Sequence, residues 1–127
     1  MIKVFIDTNF WLIPYRQKID IFSEIERLVP ENYEIVISES VIEELKKIQK
    51  TGKGKDKVAA KIGLGLIGKK AIRIILERDA VDYLILKISE NEKDVVVCTN
   101  DKELRNRLRS KNVKTIGMKE KEKLGFI

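Results

Sequence analysis

The sequence predicts an α/β fold: a single-domain three-layer sandwich with a mainly parallel central sheet and helices on both faces. Three observations carry this. Short β-branched runs alternate with stretches of helical periodicity almost throughout the chain. Those runs are apolar on both faces, as strands buried between two helical layers must be. The 127 residues show no internal repeat, linker or low-complexity tract, and that length suits one domain around one core.

The elements follow in order. Residues 2–6 (IKVFI) read as a buried strand that ends at Asp7. A helical stretch covers about Phe10 to Leu28, interrupted at Pro14 and ended by Pro30. Glu34–Ile37 is the second strand, after which Ser38 or Ser40 caps a helix running to Gln49 with Val41, Ile42, Leu45 and Ile48 as its apolar stripe. Thr51-Gly52-Lys53-Gly54 is a loop signal, and helix resumes from Asp56. Ile72–Leu76 is a strand, and Asp79 caps a helix over 80–90. Asp94–Cys98 is a strand, 101–110 a helix and Val113–Ile116 a last strand, leaving a Lys/Glu tail that docks or frays through Leu124 and Phe126.

Charge is unevenly placed. The chain is at +6, yet residues 46–73 hold ten basic side chains against one acid, Asp56, a local charge of +9 that leaves the remainder at −3. An acidic body with a basic arm suits a polyanion such as nucleic acid better than an acidic membrane surface; the plainer alternative is a solvated helix face. Composition also excludes chemistries. With no histidine there is no Ser–His–Asp or Cys–His catalysis and no His-based zinc site. Cys98 is the only cysteine, so disulfides, Cys₄ metal sites and two-cysteine redox motifs are out, and its apolar setting makes it a core residue. No secretory signal is expected, and no run approaches the ~18 apolar residues that cross a bilayer. A cytoplasmic location without membrane association follows as the expectation.

In open parallel sheets, sites lie beyond the carboxyl ends of the strands. At those points this chain places acids. Asp7 follows the first strand and Asp101 the strand 94–98; Glu43 and Glu44 lie in the first turns after the second strand, and Asp79 and Asp82 open the helix after 72–76. Any one of them reads equally as a helix cap or surface charge. Four strand ends each supplying a carboxylate is a different matter, because clustered acids repel unless cations join them. At about 100° per residue, Glu44 flanks the apolar stripe of its helix while Glu43 points away, and Asp82 borders its stripe while Asp79 does not. The expected set is therefore Asp7, Glu44, Asp82 and Asp101, with Asp79 and Glu43 in second rank. Carboxylates without imidazole or thiolate select hard cations, Mg²⁺ or Mn²⁺, which activate water against a phosphodiester. Thr99 and Asn9 are further second-rank members, able to orient a water or carboxylate or to serve a local turn.

The strand ending in Asp7-Thr8-Asn9, then Val41-Ile42-Glu43-Glu44-Leu45, Ala80-Val81-Asp82-Tyr83-Leu84-Ile85 and Thr99-Asn100-Asp101-Lys102-Glu103-Leu104, resembles the PIN-domain ribonucleases. Order, approximate spacing and length agree over essentially the whole chain, and the first and last motifs are the more specific. The resemblance implies one PIN-like nuclease domain over 1–127, with Mg²⁺- or Mn²⁺-dependent cleavage of single-stranded RNA and the acids as metal ligands. The basic segment is most similar to that of archaeal small-subunit rRNA-processing PIN proteins. That implies an rRNA precursor as substrate and a ribosome-assembly protein as partner. Toxins of toxin–antitoxin pairs are the close competitor and imply an antitoxin; a homodimer is a further expectation. A reading from another class is a non-catalytic RNA-binding assembly factor that keeps the fold and the arm.

Lys53, Lys55, Lys57, Lys61, Lys69 and Lys70 are the expected contacts to the RNA backbone, with salt-sensitive affinity as their signature. No aromatic side chain interleaves them, so base reading by the arm is not expected. Gly63-Leu64-Gly65-Leu66-Ile67-Gly68 spells G-x-G-x-x-G, but it follows a helical stretch and leads toward a strand, the wrong context for a dinucleotide loop. Close helix packing or a turn within the arm are the readings left open.

Overall fold

A strand apolar on both faces must lie between two layers, and β1 (Ile2–Ile6) occupies the middle of the sheet. The computed structural model describes residues 1–70, 72–91 and 93–127. β1 pairs in parallel with β2 (Tyr33–Ser38) on one side and β4 (Val95–Cys98) on the other. β3 (Ile72–Ile75) extends the sheet beyond β2, and β5 (Lys114–Glu120) beyond β4, again parallel. β6 (Lys123–Phe126) closes the far edge antiparallel, giving the order β3-β2-β1-β4-β5-β6. The order reverses between β1 and β4, and at such a switch point the outgoing chains diverge and leave a crevice at the strands' carboxyl ends.

The helices are α1 (Ile13–Arg16), α2 (Ile21–Leu28), α3 (Glu39–Thr51), α4 (Lys55–Lys69), α5 (Val81–Asn91) and α6 (Lys102–Ser110). Their apolar stripes cover the sheet and bury Val41, Leu45, Leu84, Ile85, Leu104 and Leu108. Cys98 and Trp11 are fully buried in the same core. Among the described residues, no helix is long and apolar enough to cross a membrane.

Several boundaries move for identifiable reasons. Pro14 does not interrupt the first helical stretch: it lies in the first turn of α1, where a missing N–H costs nothing. The break falls at Lys18, whose φ of 56° ends the helix before Asp20 caps α2 through the N–H groups of Phe22 and Ser23. Ser38 occupies the N-cap position of α3 but does not cap with its side chain; its hydroxyl shares a 2.7 Å bond with that of Ser40. Asp79 is not the cap of α5, since the Leu84 N–H bonds the Ala80 carbonyl and places the helix start one residue later. The tail does not fray. It folds back as β6, where Arg27 donates to the Leu124 carbonyl at 2.9 Å and the Leu124 N–H donates to Glu24 at 3.0 Å.

The basic segment is built into the body. Helix α4 runs through the whole glycine string, so the string is neither a turn nor a dinucleotide loop. Gly63 faces the helical turn over Thr8–Leu12, where a Cβ would stand 2.7 Å from the Trp11 carbonyl oxygen. Gly65 and Gly68 face open space. Gly63→Ala therefore forces α4 outward and costs about 1–3 kcal/mol, more than the about 1 kcal/mol of helix propensity it gains. Gly65→Ala keeps that gain without the clash. Denaturant unfolding of the two variants checks this: opposite shifts in midpoint are expected, and equal shifts would refute the packing account.

Candidate active site

Asp7 leaves β1 at the switch point and is buried, an expensive place for a carboxylate. Three bonds hold it there. Its N–H donates to the Cys98 carbonyl at 3.0 Å, continuing the β1–β4 ladder one residue past the strand. Its Oδ1 accepts from the Thr8 N–H at 2.8 Å, and its Oδ2 from the Thr99 hydroxyl at 2.8 Å. The Thr99 oxygen in turn accepts from the Asp101 N–H at 3.0 Å. One hydroxyl thus fixes the spacing between the two strand-end acids. Asp101 caps α6 through Oδ1, which accepts from the Leu104 N–H at 3.1 Å, and its second oxygen makes no bond within the described residues.

The other two acids arrive on helices. Glu44 follows the buried Val41 on α3, and Asp82 sits in the first turn of α5. Burial raises the Asp7 pKa most, the Thr99 and Thr8 bonds lower it, and the charges of Asp101 and Asp82 raise it further. Burial also raises that of Glu44; the Thr8 side chain and Lys47 lower it, while Asp7 and Asp82 raise it. Asp7 is thus linked by repulsion to Asp101, Asp82 and Glu44, and Glu44 also to Asp82. None of them has an ion-pair partner among the described residues.

The second-rank residues divide. Thr99 orients Asp7 directly. Asn9 is exposed beside Asn100 and Asp101. Glu43 points outward, 3.4 Å from Arg78, which also binds Glu39 at 2.7 Å. Asp79 lies outside α5, and its charge acts on neither Asp7 nor Glu44. Sequence reasoning passed over Thr8, whose side chain is 4 % exposed with a hydroxyl short of full hydrogen-bond geometry to any described residue, although it pulls on Glu44. Nothing in the residue type signals that role; only the fold turns this hydroxyl inward.

Among the described residues, no three acids close directly on a single ion. The donor set still fits a hard cation. Mg²⁺ keeps several waters and needs only one or two direct carboxylates, and Glu44 and Asp82 are exposed side chains with room to reorient. A hollow by Ile2, Leu28, Asp94 and Lys111 lies at the opposite ends of the strands and holds none of these acids.

Comparison with known proteins agrees with this fold. Residues 4–121 match the family described as a PIN-like domain. The chain belongs to that family. This PIN-like domain is 34 % identical over 124 residues to Ribonuclease VapC4 of Methanocaldococcus jannaschii, covering 96 % of this chain and 94 % of the relative. It is 25 % identical over 122 residues to Ribonuclease VapC9 of Archaeoglobus fulgidus, covering 96 % and 86 % respectively. Among solved structures it is similar to the PIN domain endonuclease Utp24, with a TM-score of 0.76 and 25 % identity over 98 % of this chain and 90 % of that one.

The raised pKa of Asp7 has a consequence for stability. Between the ordinary value of 3.8 and the raised value in the fold, the folded protein holds a proton that the unfolded chain has released. Stability therefore falls as pH rises through that window, and the cost is absent below it. Asp7→Asn is expected to be more stable than wild type at about pH 7 and equally stable at about pH 3. Denaturation at both pH values measures this; a variant no more stable at the higher pH contradicts it.

Proposed function

We propose that this PIN-like domain is a divalent-metal-dependent endoribonuclease that hydrolyses phosphodiester bonds of single-stranded RNA. The observation that supports this most is that the charges of Asp101 and Asp82 act on Asp7, and those of Asp7 and Asp82 on Glu44, while none of the four acids forms an ion pair among the described residues. The nuclease names of the relatives support the same reading. When bound, Mg²⁺ or Mn²⁺ would supply an activated water and stabilise charge on the attacked phosphate.

The chain's own residues do the rest. Asp7, locked by Thr99 and by the Thr8 N–H, is the fixed ligand of the site. The Asp101 N–H lies one hydroxyl away from it, the second carboxylate oxygen of Asp101 is unbonded, and Glu44 and Asp82 complete the site directly or through water. Asn9 borders the site, and Asp79 and Glu43 take no part. Lys53, Lys55, Lys57, Lys61 and Lys69, all exposed, carry the phosphate backbone; Lys70 joins them from the end of the helix, 5.0 Å above the Phe22 ring. The whole chain, 1–127, acts as one nuclease domain, in which 46–73 is the RNA-holding part.

A labelled single-stranded RNA is expected to be cut with Mn²⁺ or Mg²⁺, and cutting should drop by about 10²-fold or more in Asp7→Asn or with a chelator. Equal cutting by wild type and variant would sink the nuclease reading. RNA binding that survives the substitution, with no cleavage in either metal, would establish the non-catalytic assembly factor instead. Asp82→Asn should match Asp7→Asn, while Asp79→Asn should leave the rate within about twofold. Cleavage of an rRNA precursor would mark the processing role; a small antitoxin gene directly adjacent would mark the toxin role.

The lysines make a separate prediction. Lys57→Ala with Lys61→Ala should weaken RNA binding to a similar extent for all sequences and reduce the salt slope of log affinity by about 2. An unchanged slope, measured by titration at several salt concentrations, would remove the helix from the interface.

A further inference from the structure

Beside the acids lies a hollow of about 340 Å³, at the small end of ligand clefts of roughly 300–1,000 Å³. We propose that this hollow, lined by Asn9, Ile13, Arg16, Gln17, Asn100 and Asp101, is a subsite for one nucleobase of the bound strand, with Gln17 selecting the base. RNA as the ligand rests on the function proposed above; the subsite itself rests on three further observations.

The first is position. Asn9 stands two residues past Asp7, and Asn100 and Asp101 come two and three residues after the end of β4, so the hollow opens at the same strand ends as the acids. On its other side, Arg16 forms an ion pair with Asp56 in the first turn of α4, between Lys55 and Lys57. A strand running from those lysines toward the acids passes over the hollow.

The second is hydrogen-bonding capacity. The side chains of Asn9 and Gln17 are exposed and make no bond among the described residues. The Asn100 Oδ1 accepts from the Met118 N–H at 3.0 Å. That bond fixes which way the amide faces and leaves its NH₂ group as an oriented donor. Three amides offering donors and acceptors match the edge of an unstacked base.

The third is the mismatch with other ligands. Arg16 is already neutralised by Asp56, and Asp101 adds a negative charge, so a phosphate finds no unpaired cation at the rim. A single carboxylate does not make a metal site. Buried Ile13 supplies an apolar wall, and the Arg16 guanidinium offers a plane for stacking. A neutral, planar, polar-edged ligand fits this lining, and a nucleobase is one.

The test is binding of the RNA pentamers A5, C5 and U5 to the full chain, followed by fluorescence anisotropy in chelator so that no cutting occurs. Wild-type affinities are expected to span at least about fivefold between the best and weakest pentamer. Gln17→Ala should narrow that span to under about twofold, because the selecting contact is gone while the lysines remain. Gln17→Glu, which exchanges a donor for an acceptor on an exposed side chain, should change the order of the three. An unchanged span in Gln17→Ala, no span in wild type, or no binding of any pentamer overturns the subsite. A chain that fails to cut RNA with Mn²⁺ yet shows the span and its loss would refute the nuclease reading and leave the subsite in place.

Discussion

The structure turns on one bond, from the Thr99 hydroxyl to the buried carboxylate of Asp7. It joins the ends of β1 and β4, the two strands between which the sheet order reverses. The same oxygen accepts the Asp101 N–H, so one short side chain sets the distance from the β1 acid to the acid that caps α6. Without it, Asp7 would keep its burial and lose a main compensation for its charge. The topology adds a second compensation. Where a parallel sheet delivers its strand ends, the helices that follow begin, and the positive ends of α3, α5 and α6 therefore face the gathered acids. The arrangement that collects four carboxylates also moderates their repulsion.

Helix α4 stands in a defined relation to that cluster because of two contacts. Gly63 lets the helix touch the backbone at Trp11, four residues past Asp7. Arg16, on the short helix that follows, binds Asp56 at the helix start. A larger residue at 63 would move a line of lysines away from the acids without altering either set. The glycine string is thus a spacing device at one position, while Gly65 and Gly68 meet nothing and carry no comparable demand.

What was legible in the sequence follows the same physics. The buried stretches of β1, β2 and β4 (Val4–Ile6, Ile35–Ile37 and Val95–Cys98) each read as an unbroken apolar run, and the acids after β1 and β4 could be placed from the strand ends alone. Glu44 and Asp82 were separated from Glu43 and Asp79 by helical phase, and in the structure the charge of Asp82 acts on Asp7 and on Glu44, and that of Asp7 on Glu44. The β5–β6 hairpin was hidden because its outer positions are Lys and Glu, and its inner ones include Gly117 and Gly125, which carry no hydrophobic signal. The outward pull of Arg78 on Glu43 and the inward turn of the Thr8 hydroxyl depend on residues far apart in the chain, beyond the reach of local pattern.

The separation of charge is itself a functional constraint. Had the lysines of 46–73 paired with the acids, the chain would hold the same +6 and present neither a cation site nor a phosphate track. Charges interact strongly only within about one Debye length, about 8 Å at physiological salt, and closer for buried pairs. The charges that act on Asp7 are those of Asp101 and Asp82, and from the basic segment Lys47 acts on Glu44. The single acid of the basic segment, Asp56, is taken up by Arg16 and so withdraws nothing from the lysines beside it. Keeping the two populations apart requires a rigid scaffold between them, because a flexible basic arm would fold back onto the acids. Packing α4 against the body through Ala59, Ala60, Gly63 and Ile67 supplies that rigidity. The burial of those four small or apolar residues does as much for the site's electrostatics as the placement of the acids.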